Sequence, residues 1–397
     1  MSYRICAVTS TRADYGLLRN TLLRLNDNAE AELDLVVTGT HLLAGFGSTK
    51  NEIEKDGFRG FTELPIELSD DTGEGMSRQT GAAMIKFAEY FGSNRPDLLL
   101  VLGDRFEIFA AASAAALMNI PIAHISGGDV TEGAVDDMIR HCITKMSSLH
   151  FAGCGQSAKR IIQMGEQPDT VFDVGEPGVE NCLEMPVMTR EELAKDLDFG
   201  GMNGDLAVVT FHPVTRDSVS GADQLSALIE AMNARPGLSY IVTLSNADAG
   251  GRAFNEMWCS EGRKHDNWLV VPSLGIKRYI SVMKLSRMVI GNSSSGIIEA
   301  PALHVPTINI GSRQKGRMTA DSVITCEPST EAILAAIDKA LTFDFGEICR
   351  NAKSFFGSGG TSERIVNELI KALKNGKCKV QKPFYDIKYA SDADKKG

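Results

Sequence analysis

Short runs rich in Val, Ile and Leu alternate along this chain with stretches in which apolar residues return every three or four positions. The first pattern fits buried strands and the second fits amphipathic helices, so their regular alternation predicts βα units feeding parallel sheets. In the first half, strands are expected at residues 4–10, 33–38, 98–102, 122–126, 150–152 and 171–174. Helical periodicity fills the intervals at 15–25, 75–91, 106–118, 134–146 and 156–164.

A Pro-, Met- and Glu-containing stretch at 176–190 interrupts this rhythm, and a second series then begins. Its strands are expected at 206–211, 240–244, 268–271, 288–290 and 305–310, with helices at 224–232, 252–261, 276–284 and 296–302. The chain therefore reads as α/β, with one doubly wound, Rossmann-like domain over 1–180 and a second over 181–360. No residue-level repeat relates them. Two such domains facing each other leave a cleft lined by the carboxyl ends of strands, where α/β proteins bind ligands. The tail, 377–397, has few apolar residues beyond Phe384 and Tyr385; a frayed end is expected, with docking through those two rings.

Composition narrows the classes. A length of 397 residues suits two cores, and 43% hydrophobic with 23% charged residues lies near the globular norm. A net charge of −10 disfavours sequence-independent nucleic-acid binding, which needs a basic surplus to replace phosphate counterions. The eight cysteines show no CxxC or Cys/His ligand spacing, so no metal is expected, and free buried thiols in a reducing cytoplasm are. No signal segment or membrane span is expected either.

Candidate chemistry gathers at the predicted strand ends. Thr-Ser-Thr-Arg-Ala-Asp-Tyr-Gly (Thr9 to Gly16) puts Arg12 at a helix start, where free N–H groups and the dipole favour an anion. The absence of GxGxxG counts against a dinucleotide; a surface arginine with Asp14 as a cap is the alternative. His41 follows the second strand in Thr-Gly-Thr-His. Gly-Asp-Arg-Phe-Glu places Asp104 and Arg105 after residues 98–102, Asp104 serving as a cleft acid or a helix cap. The segment from His124 to His141 crowds Asp129, Glu132, Asp136, Asp137 and Arg140 into one loop and helix start. Proton transfer would use such crowding, because partial burial raises carboxyl pKa values towards the working pH.

In the second half, Thr-Phe-His-Pro places His212 at a strand end, held extended by the following proline. Asn246 and Asp248 lie in Ser-Asn-Ala-Asp-Ala-Gly-Gly, a polar turn after the next strand. The strongest signal is Ile290-Gly-Asn-Ser-Ser-Ser-Gly-Ile-Ile-Glu299. Backbone N–H groups with Ser293, Ser294 and Ser295 would cradle a pyrophosphate, and Glu299, about one turn on, would bind a ribose diol. Arg313 adds a neutralising cation.

With these residues assembled, the sequence resembles the hydrolysing UDP-N-acetylglucosamine 2-epimerases of bacterial sialic-acid and legionaminic-acid pathways nearly end to end. The motifs that carry the likeness are Thr-Arg-Ala-Asp-Tyr-Gly, Val-Thr-Gly-Thr-His-Leu, Glu-Ile-Glu-Lys-Asp-Gly-Phe, Leu-Gly-Asp-Arg-Phe-Glu, Asp-Asp-x-x-Arg-His, Phe-His-Pro, Gly-Asn-Ser-Ser-Ser-Gly and Gly-Ser-Arg-Gln-Lys-Gly-Arg. The resemblance implies a GT-B arrangement closing over UDP, a C-terminal helix (361–376) crossing back to the first domain, and a homodimer or homotetramer. It implies that Arg12, His212, Ser293, Ser294, Glu299 and Arg313 hold UDP, while Asp104 and Asp136 lead the acid/base set. One departure stands out: related enzymes often carry glutamate or histidine where this chain has Ser126, which cannot titrate near neutral pH. Asp129, Glu132 or His124 would then take that role, or the substrate differs slightly.

The implied reaction removes the C2 proton as UDP departs, giving a 2-acetamidoglucal, then adds water at C1 and a proton at C2 from the opposite face, giving N-acetylmannosamine. No cofactor is required. UDP-N,N′-diacetylbacillosamine is the alternative substrate. A GT-B glycosyltransferase is the alternative class, although it would not need the acidic cluster at 129–137. A UDP-sugar sensor and a non-hydrolysing epimerase are also weighed, separable by whether UDP, free sugar or UDP-sugar accumulates.

Overall fold

The computed structural model describes residues 2–43, 49–58, 60–68, 70, 72–131, 135–213, 220–244 and 251–387. It divides into two units, one formed by Met1–Val130, Ala134–Pro177 and Gly360–Gly397, the other by Thr131–Gly133 and Gly178–Gly359.

The first unit is built on strands β1 (Tyr3–Thr9), β2 (Ala31–Thr38), β3 (Thr62–Leu64), β4 (Leu98–Leu102), β5 (Ile122–Ile125), β6 (Leu149–Ala152) and β7 (Val171–Asp173). They pair in parallel in the order β3-β2-β1-β4-β5-β6-β7. The two-residue period of a strand explains why these runs are apolar throughout. Ile5 and Ala7 of β1 join Leu98, Leu100 and Leu102 of β4 in one core layer, whereas Cys6 and Val8 join Leu99 and Val101 in the layer on the opposite face. The helix Arg12–Asn26 covers the first face through Leu18, Leu22 and Leu25; Gly73–Ser93 and Phe106–Leu117 cover the second through Phe87, Phe91, Ile108 and Ala111.

The last helix, Thr361–Lys374, belongs to this unit. Its Ile365, Val366, Leu369 and Ile370 pack with Leu18, Leu22 and Leu25, and Arg24 Nε donates to Ser362 Oγ at 2.8 Å. The segment after it is docked as far as it is described. Tyr385 N–H donates to Gly165 O at 2.9 Å, and Lys382 shares the buried Glu166 carboxylate with Lys145 and His150. Residues 388–397 lie outside the described residues.

The second unit carries β8 (Asp205–Thr210), β9 (Leu238–Thr243), β10 (Trp268–Val271), β11 (Met288–Gly291), β12 (Thr307–Ile310) and β13 (Val323–Cys326) in the parallel order β10-β9-β8-β11-β12-β13. Again alternate residues feed opposite layers, Ala207 and Val209 to one and Leu206 and Val208 to the other. In both sheets the strand order reverses about the first strand of the series, between β1 and β4 and between β8 and β11. Ligands of doubly wound sheets bind at the carboxyl ends flanking that reversal.

Three expectations change. The stretch 176–190 is largely helical: Pro177–Glu184 opens on a proline, whose missing N–H matters least in a first turn, and Arg190–Leu197 starts with a capping box between Thr189 and Glu192. The helix expected at 296–302 is only Ser295–Ile298, followed by a 3₁₀ turn Ala300–Leu303, because Pro301 has no N–H to continue the ladder. The short edge strands β3 and β13, three and four residues long, were not anticipated.

Candidate active site

At the reversal in the first sheet, β1 runs out into Ser10, Thr11 and Arg12. The Asp14 carboxylate gathers this turn: it accepts from Ser10 N–H at 2.9 Å, Ser10 Oγ at 2.8 Å, Thr11 N–H at 3.0 Å and the Thr9 hydroxyl. Burial pushes its pKa up, but the bonds from His41, Thr9 and Ser10 outweigh that and hold it below the usual carboxylate value. The Thr9 hydroxyl, committed to Asp14, accepts from His41 Nε2 at 3.0 Å, while His41 Nδ1 pairs with Thr49 Oγ1 at 2.7 Å. His41 is fully buried with both ring nitrogens occupied. His41 sits under the turn and holds its shape. Arg12 opens the helix, half-exposed, with Glu52 2.8 Å away.

Asp104 lies just past β4, at the other side of the reversal, in an ion pair with the buried Arg140. A second nitrogen of Arg140 donates to Asp129 O at 3.0 Å, so one guanidinium binds the ends of β4 and β5 together. Asp129 is buried and accepts from Ser157 Oγ. Arg105 points its guanidinium at the fully buried Glu107, with bonds of 3.1 and 2.9 Å. Asp136 stands exposed in the first turn of Val135–Met146. Glu132 lies outside the described residues. Thus Arg140 contacts both Asp104 and Asp129.

His124, a candidate for the missing acid, is excluded by its surroundings. It is fully buried, Nε2–H donates to Gly103 O at 2.8 Å, and Nδ1 lies 3.1 Å from Thr144 Oγ1. Burial pushes its pKa down to about 3, so it stays neutral near pH 7. A residue that sequence reasoning passed over lies nearby. Ser126 Oγ donates to Glu176 Oε2 at 2.8 Å, and Glu176 is only 6% exposed. Gly175-Glu176-Pro177-Gly178, directly after β7, was the available signal, read instead as a break between domains.

At the reversal in the second sheet, Asn292 is the organiser. Its Oδ1 accepts from His212 N–H at 2.8 Å and its Nδ2 donates to His212 O at 2.9 Å, clamping the end of β8 to the end of β11. Its own carbonyl accepts from Arg313 at 3.0 Å and Gln314 at 2.8 Å. Gly291 permits this approach: with φ at +140°, an added Cβ would fall 2.0 Å from Thr210 O. Ser293, Ser294 and Ser295 follow at the strand end, Ser295 bonded to Tyr279 OH. With only one turn of helix behind them, the serines and local N–H groups supply the polarity here. Glu299 is half-buried; Oε2 has no hydrogen-bond partner among the described residues, and burial pushes its pKa up to about 7. Asn246 and Asp248 lie outside the described residues. Among the described residues no group of three His, Cys, Asp or Glu side chains is placed to hold a metal.

Two doubly wound parallel sheets in one chain, each with polar side chains at its reversal point, define an α/β protein of two Rossmann-like domains, the GT-B type. The chain belongs to the UDP-N-acetylglucosamine 2-epimerase family, whose model matches residues 23–370. It is similar to the polysialic acid biosynthesis protein P7 of Escherichia coli, 36% identical over 391 residues, 97% of each chain. It is also similar to the UDP-N,N′-diacetylbacillosamine 2-epimerase (hydrolyzing) of Legionella pneumophila, 36% identical over 94% of this chain and 97% of that one. Among solved structures, a putative UDP-N-acetylglucosamine 2-epimerase from Listeria monocytogenes superposes with a TM-score of 0.80 at 18% identity, over 98% of this chain and 100% of the other. The Methanocaldococcus jannaschii UDP-GlcNAc 2-epimerase in complex with UDP-GlcNAc and UDP gives 0.77 at 18% identity, over 93% and 99%. At such identities these two structures speak for the fold.

Proposed function

We propose that this enzyme cleaves the glycosidic C1–O bond of a UDP-activated 2-acetamido sugar and inverts C2, releasing UDP and the free sugar. The observation that carries the reading is the match along 94% of the chain, at 36% identity, to a relative named as a hydrolysing 2-epimerase. The geometry supports it. Ser293, Ser294 and Arg313, gathered at the end of β11, suit the diphosphate, whose charge grows as the bond breaks. Glu299, with acceptor oxygens and a poorly hydrated position, suits the ribose diol.

Asp104 serves as the base that takes the C2 proton, and Arg140, ion-paired to it, aims the carboxylate. The C2–H electron pair becomes the C1=C2 bond as the C1–O pair leaves with UDP. Water then bonds to C1 while C2 takes a proton from the opposite face. No redox step is involved. The enzyme works as a homo-oligomer in the cytoplasm, a reading that its eight free thiols suit.

The 4-acetamido sugar stands beside the plain one as substrate, because relatives at 36% identity are named both for polysialic acid biosynthesis and for diacetylbacillosamine. Both sugars offered side by side in deuterium oxide test the whole reading: free sugar with deuterium at C2 is expected, and UDP release without C2 labelling rejects proton exchange at that carbon. Asp104→Asn should lower kcat by about 100-fold or more while UDP affinity stays within about threefold. Loss of UDP binding instead would make Asp104 a substrate contact.

A further inference from the structure

Inversion at C2 requires two proton carriers, since the proton leaves one face of the ring and another arrives on the opposite face. Asp104, ion-paired to Arg140, is taken above as the base, so the other proton calls for a second group. Resting on the function proposed above, we infer that Glu176 is the second carrier, held in place by Ser126.

Three features built into the sheet bring Glu176 to that position. Ser126 follows β5 immediately and sits in the left-handed region at φ +60°, where a side chain other than glycine is strained; strain of this kind gathers at functional sites. Its backbone N–H donates to Phe151 O at 2.9 Å, fixing it at the carboxyl edge of the sheet, one strand from Asp104. Glu176 starts beyond β7 and reaches back across the end of β6 to meet the Ser126 hydroxyl at 2.8 Å. Gly153, at the end of β6, makes that path possible: a Cβ there would lie 1.7 Å from Glu176 Oε1. A carboxylate that served only the surface would need neither the glycine nor the strained serine. At 6% exposure, Glu176 is withdrawn from bulk water.

The step balances as follows. Protonated Glu176 gives its proton to C2, the C1=C2 pair forms the new C–H bond, water supplies hydroxide to C1, and the proton left from that water returns to the Glu176 carboxylate. Glu176 is the catalytic residue and Ser126 the positioning residue.

The test uses the full chain with UDP-N-acetylglucosamine and UDP-N,N′-diacetylbacillosamine, reading UDP release, C2 deuterium and the pH profile of kcat. Glu176→Gln should lower kcat by about 100-fold or more, abolish the pH limb that reports the acid, and leave UDP affinity within about threefold. Ser126→Ala should lower kcat by about tenfold with a displaced pH limb. If Glu176→Gln does not fold, the relocated carboxylate decides: Ser126→Glu combined with Glu176→Ala should regain at least about tenfold over Glu176→Ala alone. A Glu176→Gln enzyme with wild-type kcat and pH profile overturns this assignment, as does a relocated carboxylate that regains nothing. A wild type that releases no UDP from either sugar overturns the proposed function itself, a separate result.

Discussion

Glu299 shows how one side chain links stability to ligand binding. Its folded pKa, pushed up to about 7 by burial, exceeds the ordinary 4.5, so the ligand-free protein binds more protons than the unfolded chain between those values. Stability attributable to Glu299 therefore falls as pH rises from 4.5 to about 7, then levels off. Glu299→Gln should raise the melting temperature of the ligand-free protein relative to wild type at pH 8 and leave it unchanged at pH 4.5, checked by differential scanning fluorimetry across pH. The same substitution should weaken UDP binding by about tenfold in calorimetry, because a bond to a charged acceptor is exchanged for a neutral one. The positions of Asp104, His212 and Ser293 at strand ends were legible from the sequence, since a strand's end is fixed by where its apolar run stops. What His41 and His124 do was not, because burial and the partner of each ring nitrogen depend on residues far away in sequence. Glu176 was missed for the same reason: its meeting with Ser126 spans 50 positions.

Helices and strands were read well where periodicity was strong and poorly where one residue or a sheet edge decided the outcome. β4 and β10 run over the expected residues because each is a short apolar run with clear flanks. The one-turn helix before Pro301 shows a single imino acid overriding a helical pattern. β3 and β13 have only half-buried or exposed residues, so their strand character comes from a neighbour's hydrogen bonds. The closing helix Thr361–Lys374 has its strength in packing: Leu369 is fully buried against the first core. Leu369→Ala should cost about 2–5 kcal/mol of that unit's stability, measured by urea unfolding.

Taken over the whole chain, the two sheets share an order of strands but differ in continuity. The second unit draws all its strands from Gly178–Gly359, whereas the core of the first is completed by residues after Gly359. A chain ending at Gly359 should keep slow hydrogen exchange in β8, β9 and β11 and lose it in β1 and in the helix Arg12–Asn26, as read by mass spectrometry. During synthesis the consequence is a reversal of the usual vectorial order. The first unit must wait, its Leu18 and Leu22 surface uncovered, until Thr361–Lys374 has been made, by which time every strand of the second unit has been synthesised. For this chain the amino-terminal portion is the last to mature, and its exposed interval is set by the speed of elongation.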